Sequence, residues 1–220
     1  MCLCPYCEYD LKGILQQKRK CPSCEKPIYF KSTPDNRTKR MMTEAQAIAA
    51  DEKWDSYNLR QKSLSTLVPF GLTERDLEKE KARGALSDPD AVISLLARVV
   101  EETNDLHKRK MALGHLAVYA EQDGQPFHEY LVEANRCELH RYKQQGVKKV
   151  EILTAGTGNA CTECGSNAQK IFEIDDALRL MPLPHPRCTH TIAGTRPGFC
   201  RCSYIPAFTH LSPSSSPTPS

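Results

Sequence analysis

The chain of 220 residues is poor in aromatic side chains, with a single tryptophan and 7% Phe, Trp and Tyr together. It also has little net charge, +3 from 30 basic and 27 acidic residues. So even a balance does not by itself demand a nucleic-acid partner, whose phosphates are met by basic excess. No apolar run approaches the roughly 18 residues that a membrane-spanning helix requires. Residues 1–20 carry cysteines, acids and bases where a secretory leader would carry an apolar stretch. A cytoplasmic protein without a membrane partner is therefore expected. The chain also lacks a glycine-rich phosphate loop, a nucleophile elbow, a His-Glu-x-x-His motif and paired carboxylates. Those absences remove the common signatures of nucleotide binding and hydrolysis, and no small-molecule substrate is identified.

What the chain has instead is cysteine, 11 residues concentrated near its two ends. In a reducing compartment, close cysteine pairs bind metal more readily than they form disulfides. A secreted disulfide scaffold is the rival. Near the start stand Cys4-Pro-Tyr-Cys7 and Cys21-Pro-Ser-Cys24. Two thiolates with two residues between them sit on one tight turn and aim at one point, and two such turns complete a tetrahedral shell. Cys2 is spare. Pro5 and Pro22 fix the backbone after the first cysteine of each pair. Asp10-Leu11-Lys12-Gly13 reads as a turn, Gln16-Gln17-Lys18-Arg19-Lys20 leads into the second pair, and Lys26–Phe30 reads as a strand. This layout resembles a zinc ribbon, over residues 1–31. So short a segment buries almost no apolar surface and is expected to fold only with its metal.

Basic residues dominate from Lys12 to Arg40, with Tyr6, Tyr29 and Phe30 interleaved. The plain reading is a solvated face followed by a basic linker, residues 32–42. The sharper one is a phosphate-binding surface with stacking platforms, built on Lys18, Arg19, Lys20, Lys39 and Arg40.

Residues 43–146 read as a helical bundle. Thr43 with Gln46 three residues on forms a capping box. Thr73 caps a charged helix that Gly84 ends, and Asp88-Pro89 opens another. Val92, Leu95, Leu96, Val99 and Val100 then share one face. Met111, Leu113, Leu116, Ala117 and Ala120 are core candidates of the next helix. Phe127, Tyr130, Leu131, Ala134 and Cys137 are those of the last, which Gly146 closes. His107, His115, His128 and His140 fall on different turns and form no site.

Residues 147–208 form the second metal module. Val147–Leu153 and Ile171–Ile174 read as strands, Gly156–Asn159 as a loop, and Ala177–Leu180 as a helix capped by Asp175 or Asp176. Cys161-Thr-Glu-Cys164 is one ligand pair. His185-Pro-Arg-Cys188 is the other, giving Cys161, Cys164, His185 and Cys188 as the first choice of ligands. Cys200, Cys202 and His190 are alternatives. Residues 209–220 are mostly Ser, Pro and Thr and are expected to be disordered. The whole is α+β and mostly helical.

Residues 161–202 resemble the C-terminal signature of phage head-morphogenesis (minor head, Mu F-like) proteins. The matching positions are Cys161, Cys164, Pro182-Leu183, His185-Pro186, Cys188 and Cys200-Arg201-Cys202. In that family the ending is compact, whereas here Thr189 to Phe199 separates Cys188 from Cys200. The resemblance implies a module of phage origin and leaves exchange of Cys188 for Cys200 or Cys202 open.

Three functions fit these features. The first is a non-catalytic zinc protein, with two Zn2+ ions, that interacts or assembles with a protein partner. The second is a regulatory nucleic-acid-binding ribbon. The third is a metal-dependent hydrolase or nuclease with Glu163, Asp175 or His190 as base. A redox role for Cys161 and Cys164 lacks the βαβ setting it needs.

Overall fold

Residues 3–11, 18–154, 160–189, 191–192, 196–197 and 200–207 are described by a computed structural model. Several expectations lie outside these residues: spare Cys2, the end of the turn at Lys12-Gly13, the loop Gly156–Asn159, His190 and the tail. The fold is α+β, with seven α-helices among the described residues. No helix among them is long and apolar enough to cross a membrane. The chain divides into two units, Met1–Pro89 and Asp90–Ser220. The division therefore falls inside the expected bundle 43–146.

In the first unit, strands β1 (Lys18–Lys20), β2 (Pro27–Lys31) and β3 (Arg40–Met42) form an antiparallel sheet in the order β1-β2-β3. β3 ends the stretch 32–42, so the expected linker closes as a strand. Its reason is register: Met41 and Met42 pair with Phe30 and Tyr29, and Met42 is 2% exposed. Helix α1 (Glu44–Leu67) starts on the expected capping box of Thr43 and Gln46. Its small residues Ala47 and Ala50 let Met42 and Tyr29 pack closely against its first turns. Trp54, further along α1, donates its indole N–H to the Ser32 carbonyl at 2.9 Å. The sheet is thus fastened to the helix over several turns.

Helix α2 (Glu74–Gly84) has its own capping box, Thr73 with Asp76. The Arg60 side chain, 21% exposed, meets Glu74, Glu78 and Asp88. Exposed ion pairs contribute at most about 1 kcal/mol each, but one half-buried guanidinium gathering three carboxylates ties α1 to α2 and to the start of the next helix. Burial works to raise the Asp88 carboxyl, and Lys81 and Arg60 hold it below its ordinary value.

Helix α3 (Asp88–Glu102) opens at Asp88-Pro89 as expected. Val92, Leu95 and Leu96 are buried, while Val99 and Val100 are half-buried. Helix α4 (Leu106–Gln122) begins where Asp105 accepts the N–H groups of His107 and Lys108 at 2.9 and 3.1 Å. It packs on helix α5 (His128–Gln144) through Leu113, Ala134 and Cys137, with Val100 and Leu106 alongside. Met111 and Ala120 are half-buried rather than core, and Tyr130 is 36% exposed. Tyr130 sits in the first turn of α5, ahead of the residues that meet α4. Glu138, 5% exposed, is held by Lys110 and Arg141 at 3.1 and 2.8 Å.

Gly146, at φ +81°, takes the left-handed turn that ends α5 and feeds strand β4 (Lys149–Leu153). The short helix α6 (Thr162–Gly165), strand β5 (Ile171–Glu173) and helix α7 (Ile174–Leu180) come next. Ile174 belongs to α7 rather than to the strand, and the cap position is Glu173, with no side-chain cap bond. The expected cap by Asp175 or Asp176 fails because both already lie in the first turn. Strands β6 (Thr191–Ile192) and β7 (Arg196–Pro197) pair with each other, and β8 (Ser203–Pro206) returns to β4. The sheet order is β5-β4-β8, all antiparallel. Leu139, Tyr142, Val150, Ile152, Leu183 and Tyr204 form its core together with Cys164 and Cys202.

Candidate metal centres

The first centre is made by one turn used twice. In Cys4-Pro-Tyr-Cys7-Glu8, the Cys4 N–H bonds to the Tyr9 carbonyl at 2.9 Å and the Glu8 N–H bonds to the Cys4 carbonyl at 3.0 Å. In Cys21-Pro-Ser-Cys24-Glu25, Cys21 bonds to Lys26 at 3.0 Å and Glu25 bonds back to Cys21 at 2.9 Å. Glu8 and Glu25 both take left-handed backbone, φ +57° and +59°. A residue with a Cβ there costs about 1–2 kcal/mol, a strain accepted twice at the same place. The signal was in the sequence as a repeat, Cys-Pro-x-Cys-Glu, which spacing of cysteines alone passes over.

The two turns bring four sulfurs together, Cys4, Cys7, Cys21 and Cys24, all within 4.8 Å of one another. Cys4 and Cys24 are 3.9 Å apart, and Cys7 and Cys21 are 3.7 Å apart. A tetrahedral ion with metal–sulfur bonds of about 2.3 Å sets its ligands about 3.8 Å apart. A disulfide would need about 2.05 Å, and every one of these cysteines is free. Burial works to raise the Cys21 thiol, but N–H groups of Cys24 and Ser23 and the neighbouring thiols bring it down to about 6. The Lys26 N–H lowers Cys24, yet burial and the thiols of Cys7, Cys21 and Cys4 push it up to about 11. Four thiolates this close repel one another, so a cation is the natural counterpart of full ionisation.

The expected nucleic-acid residues are not gathered on one line. Lys18, Arg19 and Lys20 are exposed on edge strand β1, whereas Arg40 lies on β3, across β2 from them, and exposed Lys39 precedes it. The ring of Tyr29 already carries Lys18 at 4.9 Å and Lys31 at 5.8 Å, and Tyr6 carries Lys26 at 5.1 Å. Their hydroxyls are engaged at the start of α1. Tyr6 accepts the Glu44 N–H at 2.7 Å and Tyr29 donates to the Glu44 carboxylate at 3.0 Å. These rings are pinned and capped by cations, which leaves them poor platforms for a base.

The second centre draws on three separate segments. Cys161 caps α6, its sulfur accepting the Cys164 N–H at 3.4 Å. Burial works to raise the Cys161 thiol, but the Cys164 and Thr189 N–H groups outweigh it and bring the thiol down to about 6. Burial and the surrounding thiols of Cys202, Cys161 and Cys188 push Cys164 strongly up. Cys188 arrives from the turn after Pro186, 3.8 Å from Cys161 and 3.6 Å from Cys164. Cys200 and Cys202 arrive just ahead of β8, with Cys200 at 3.7 Å from Cys164. These are again tetrahedral-edge separations.

His185, one of the four first-choice ligands, is in none of the groups of three or more ligand atoms within 4.8 Å among the described residues. Its Nε2 lies 3.9 Å from the Glu163 carboxylate, and its Nδ1 accepts the Arg187 N–H at 3.3 Å. Glu163 also meets Arg187 at 3.3 Å, and Asp175 pairs with Lys143. Two of the three candidate bases therefore hold cations, and His190 lies outside the described residues. The eleven-residue separation of Cys188 from Cys200 hid from sequence spacing that both reach Cys164. The set of thiols Cys161, Cys164, Cys188, Cys200 and Cys202 can hold metal, as can the N-terminal four. Comparison with protein-family models, with curated proteins and with solved structures finds no match to this chain.

Proposed function

We propose that the protein is a non-catalytic zinc protein whose two thiol centres staple the ends of the chain, and whose helices present a surface for assembly with a protein partner. The supporting observation is the spacing of the sulfurs. Five separations, 3.6 to 3.9 Å, match the edge of a zinc–thiolate tetrahedron. Zinc is the expected ion because thiolate-rich tetrahedral sets select it. The N-terminal part is then a zinc ribbon, and residues 161–202 a module of phage origin, as their resemblance to minor head proteins implies. The basic edge strand β1 supports contact with phosphates as a lesser role, one that would weaken steeply with salt.

Zinc per chain, measured by elemental analysis after exhaustive buffer exchange, tests the reading. Cys24→Ser is expected to remove the zinc of the first unit alone, and Cys164→Ser that of the second alone. Purified protein that carries no zinc and gains none on incubation with Zn2+ would refute it.

A further inference from the structure

Granted that the C-terminal thiols hold metal, the reading on which this inference rests, their centre has more sulfur than one ion can use. One tetrahedral ion takes four ligands. Five thiols converge here, as two triads: Cys161, Cys164 and Cys188, and Cys164, Cys200 and Cys202. Within each triad the sulfurs lie within 4.8 Å of one another, and no four of the five meet that limit. The N-terminal four do meet it, so the difference lies between the two centres themselves. A single ion at the C-terminal centre would sit in one triad and leave the other as a packed pair of thiols with no counterion.

Cys164 is the member common to both triads. It lies 3.6 Å from Cys188 on one side and 3.7 Å from Cys200 on the other. It is also 3% exposed and belongs to the same core as buried residues of β4, α7 and β8. A thiolate sulfur keeps lone pairs for two metal ions at once. Cys188 of one triad and Cys200 of the other both line a cavity of about 520 Å³, along with His185 and His128. Each triad thus has a side facing space where an imidazole or a water can supply the fourth ligand. Electrostatics favours the same arrangement, because burying thiolates is costly unless cations nearly balance them. Two divalent ions nearly neutralise five thiolates, whereas one ion leaves a larger uncompensated charge or a buried thiol.

We propose that the C-terminal centre is binuclear. It binds two thiophilic divalent ions of the zinc class, one in each triad, with the Cys164 thiolate bridging them. All five sulfurs bind as thiolates, so binding displaces the proton of each thiol that is still protonated, and no electron is transferred.

The test uses the full chain, reconstituted with excess Zn2+ and passed through gel filtration. Zinc is counted by elemental analysis, and thiols protected by metal are counted with an aromatic disulfide reagent before and after chelation. The expected result is three zinc ions per chain and nine metal-protected thiols, with loss of two zinc ions in Cys164→Ser and of one in Cys202→Ser. Two zinc ions, with seven protected thiols (four at the first centre and one triad at the second) or eight, in the wild type overturn the binuclear centre and leave the single-ion reading of both ends standing. One zinc ion, lost in Cys24→Ser, overturns both. Three ions in the wild type with only one lost in Cys164→Ser overturns the bridge.

Discussion

Replacing Cys21 with serine is expected to unfold the N-terminal sheet and to loosen the first half of α1, while the second unit keeps its full stability. The sheet has a small core of its own, Cys4, Leu11, Cys21 and Ile28, and two of those four are metal ligands in our reading. Structural zinc contributes about 10–16 kcal/mol to small zinc peptides. That equals or exceeds the whole stability of an ordinary domain, about 5–15 kcal/mol. A serine hydroxyl is a poor ligand at neutral pH, and its loss leaves three crowded thiols without their counterion. The effect is expected to pass into α1 because the helix is half of the sheet's packing partner. Met42 and Tyr29 cover Ala47 and Ala50, and Trp54 holds the Ser32 carbonyl. Amide hydrogen exchange read by mass spectrometry checks this. Peptides spanning 18–54 should lose protection in Cys21→Ser, and peptides spanning 128–153 should not. Retained protection in β2 would show that the sheet stands without its metal.

The second large effect is expected at Tyr204. This side chain is 1% exposed in the core of the second unit. Its hydroxyl accepts the Leu183 N–H at 3.0 Å, and its carbonyl accepts the Tyr142 hydroxyl at 3.1 Å. Leu183 lies two residues before His185, so Tyr204 fixes the segment that delivers Cys188, and it stands two residues after Cys202. Tyr204→Ala should cost about 3–5 kcal/mol, the usual loss for a large buried ring. Tyr204→Phe keeps the ring and strands a buried N–H, which costs about 1–3 kcal/mol. Urea denaturation of both variants, followed by the signal of the second unit, measures the two losses. A Tyr204→Phe variant as stable as the parent would mean that the Leu183 N–H finds another acceptor.

Local chemistry was legible in the sequence, and long-range convergence was not. The capping box at Thr43 and Gln46, the helix start at Asp88-Pro89 and the stop at Gly146 are set by backbone groups within a few residues, so their residue types announce them. The N-terminal thiol pairs are legible for the same reason, since each pair sits on one turn. β3 was hidden because its three residues, Arg40–Met42, carry no alternation and gain their place only by pairing with β2. Cys200 and Cys202 were legible only as substitutes for Cys188, because β8 must return to β4 before they reach Cys164 beside it, a fact of sheet order rather than of spacing. His185 stands three residues from Cys188, good ligand spacing, and its ring lies outside the two thiol triads, facing Glu163 and the cavity that Cys188 and Cys200 line. Buried Glu138 also broke the polar pattern of α5, and its role depends on Lys110 from another helix.

The central claim is that sulfur at both ends of the chain holds metal. X-ray absorption at the zinc edge of the purified full-length protein tests it most directly. The account predicts a first shell dominated by sulfur at about 2.3 Å, diminished but still sulfur-rich in Cys24→Ser. A shell of nitrogen and oxygen at about 2.0–2.1 Å would contradict it, because the ion would then be bound away from the thiols.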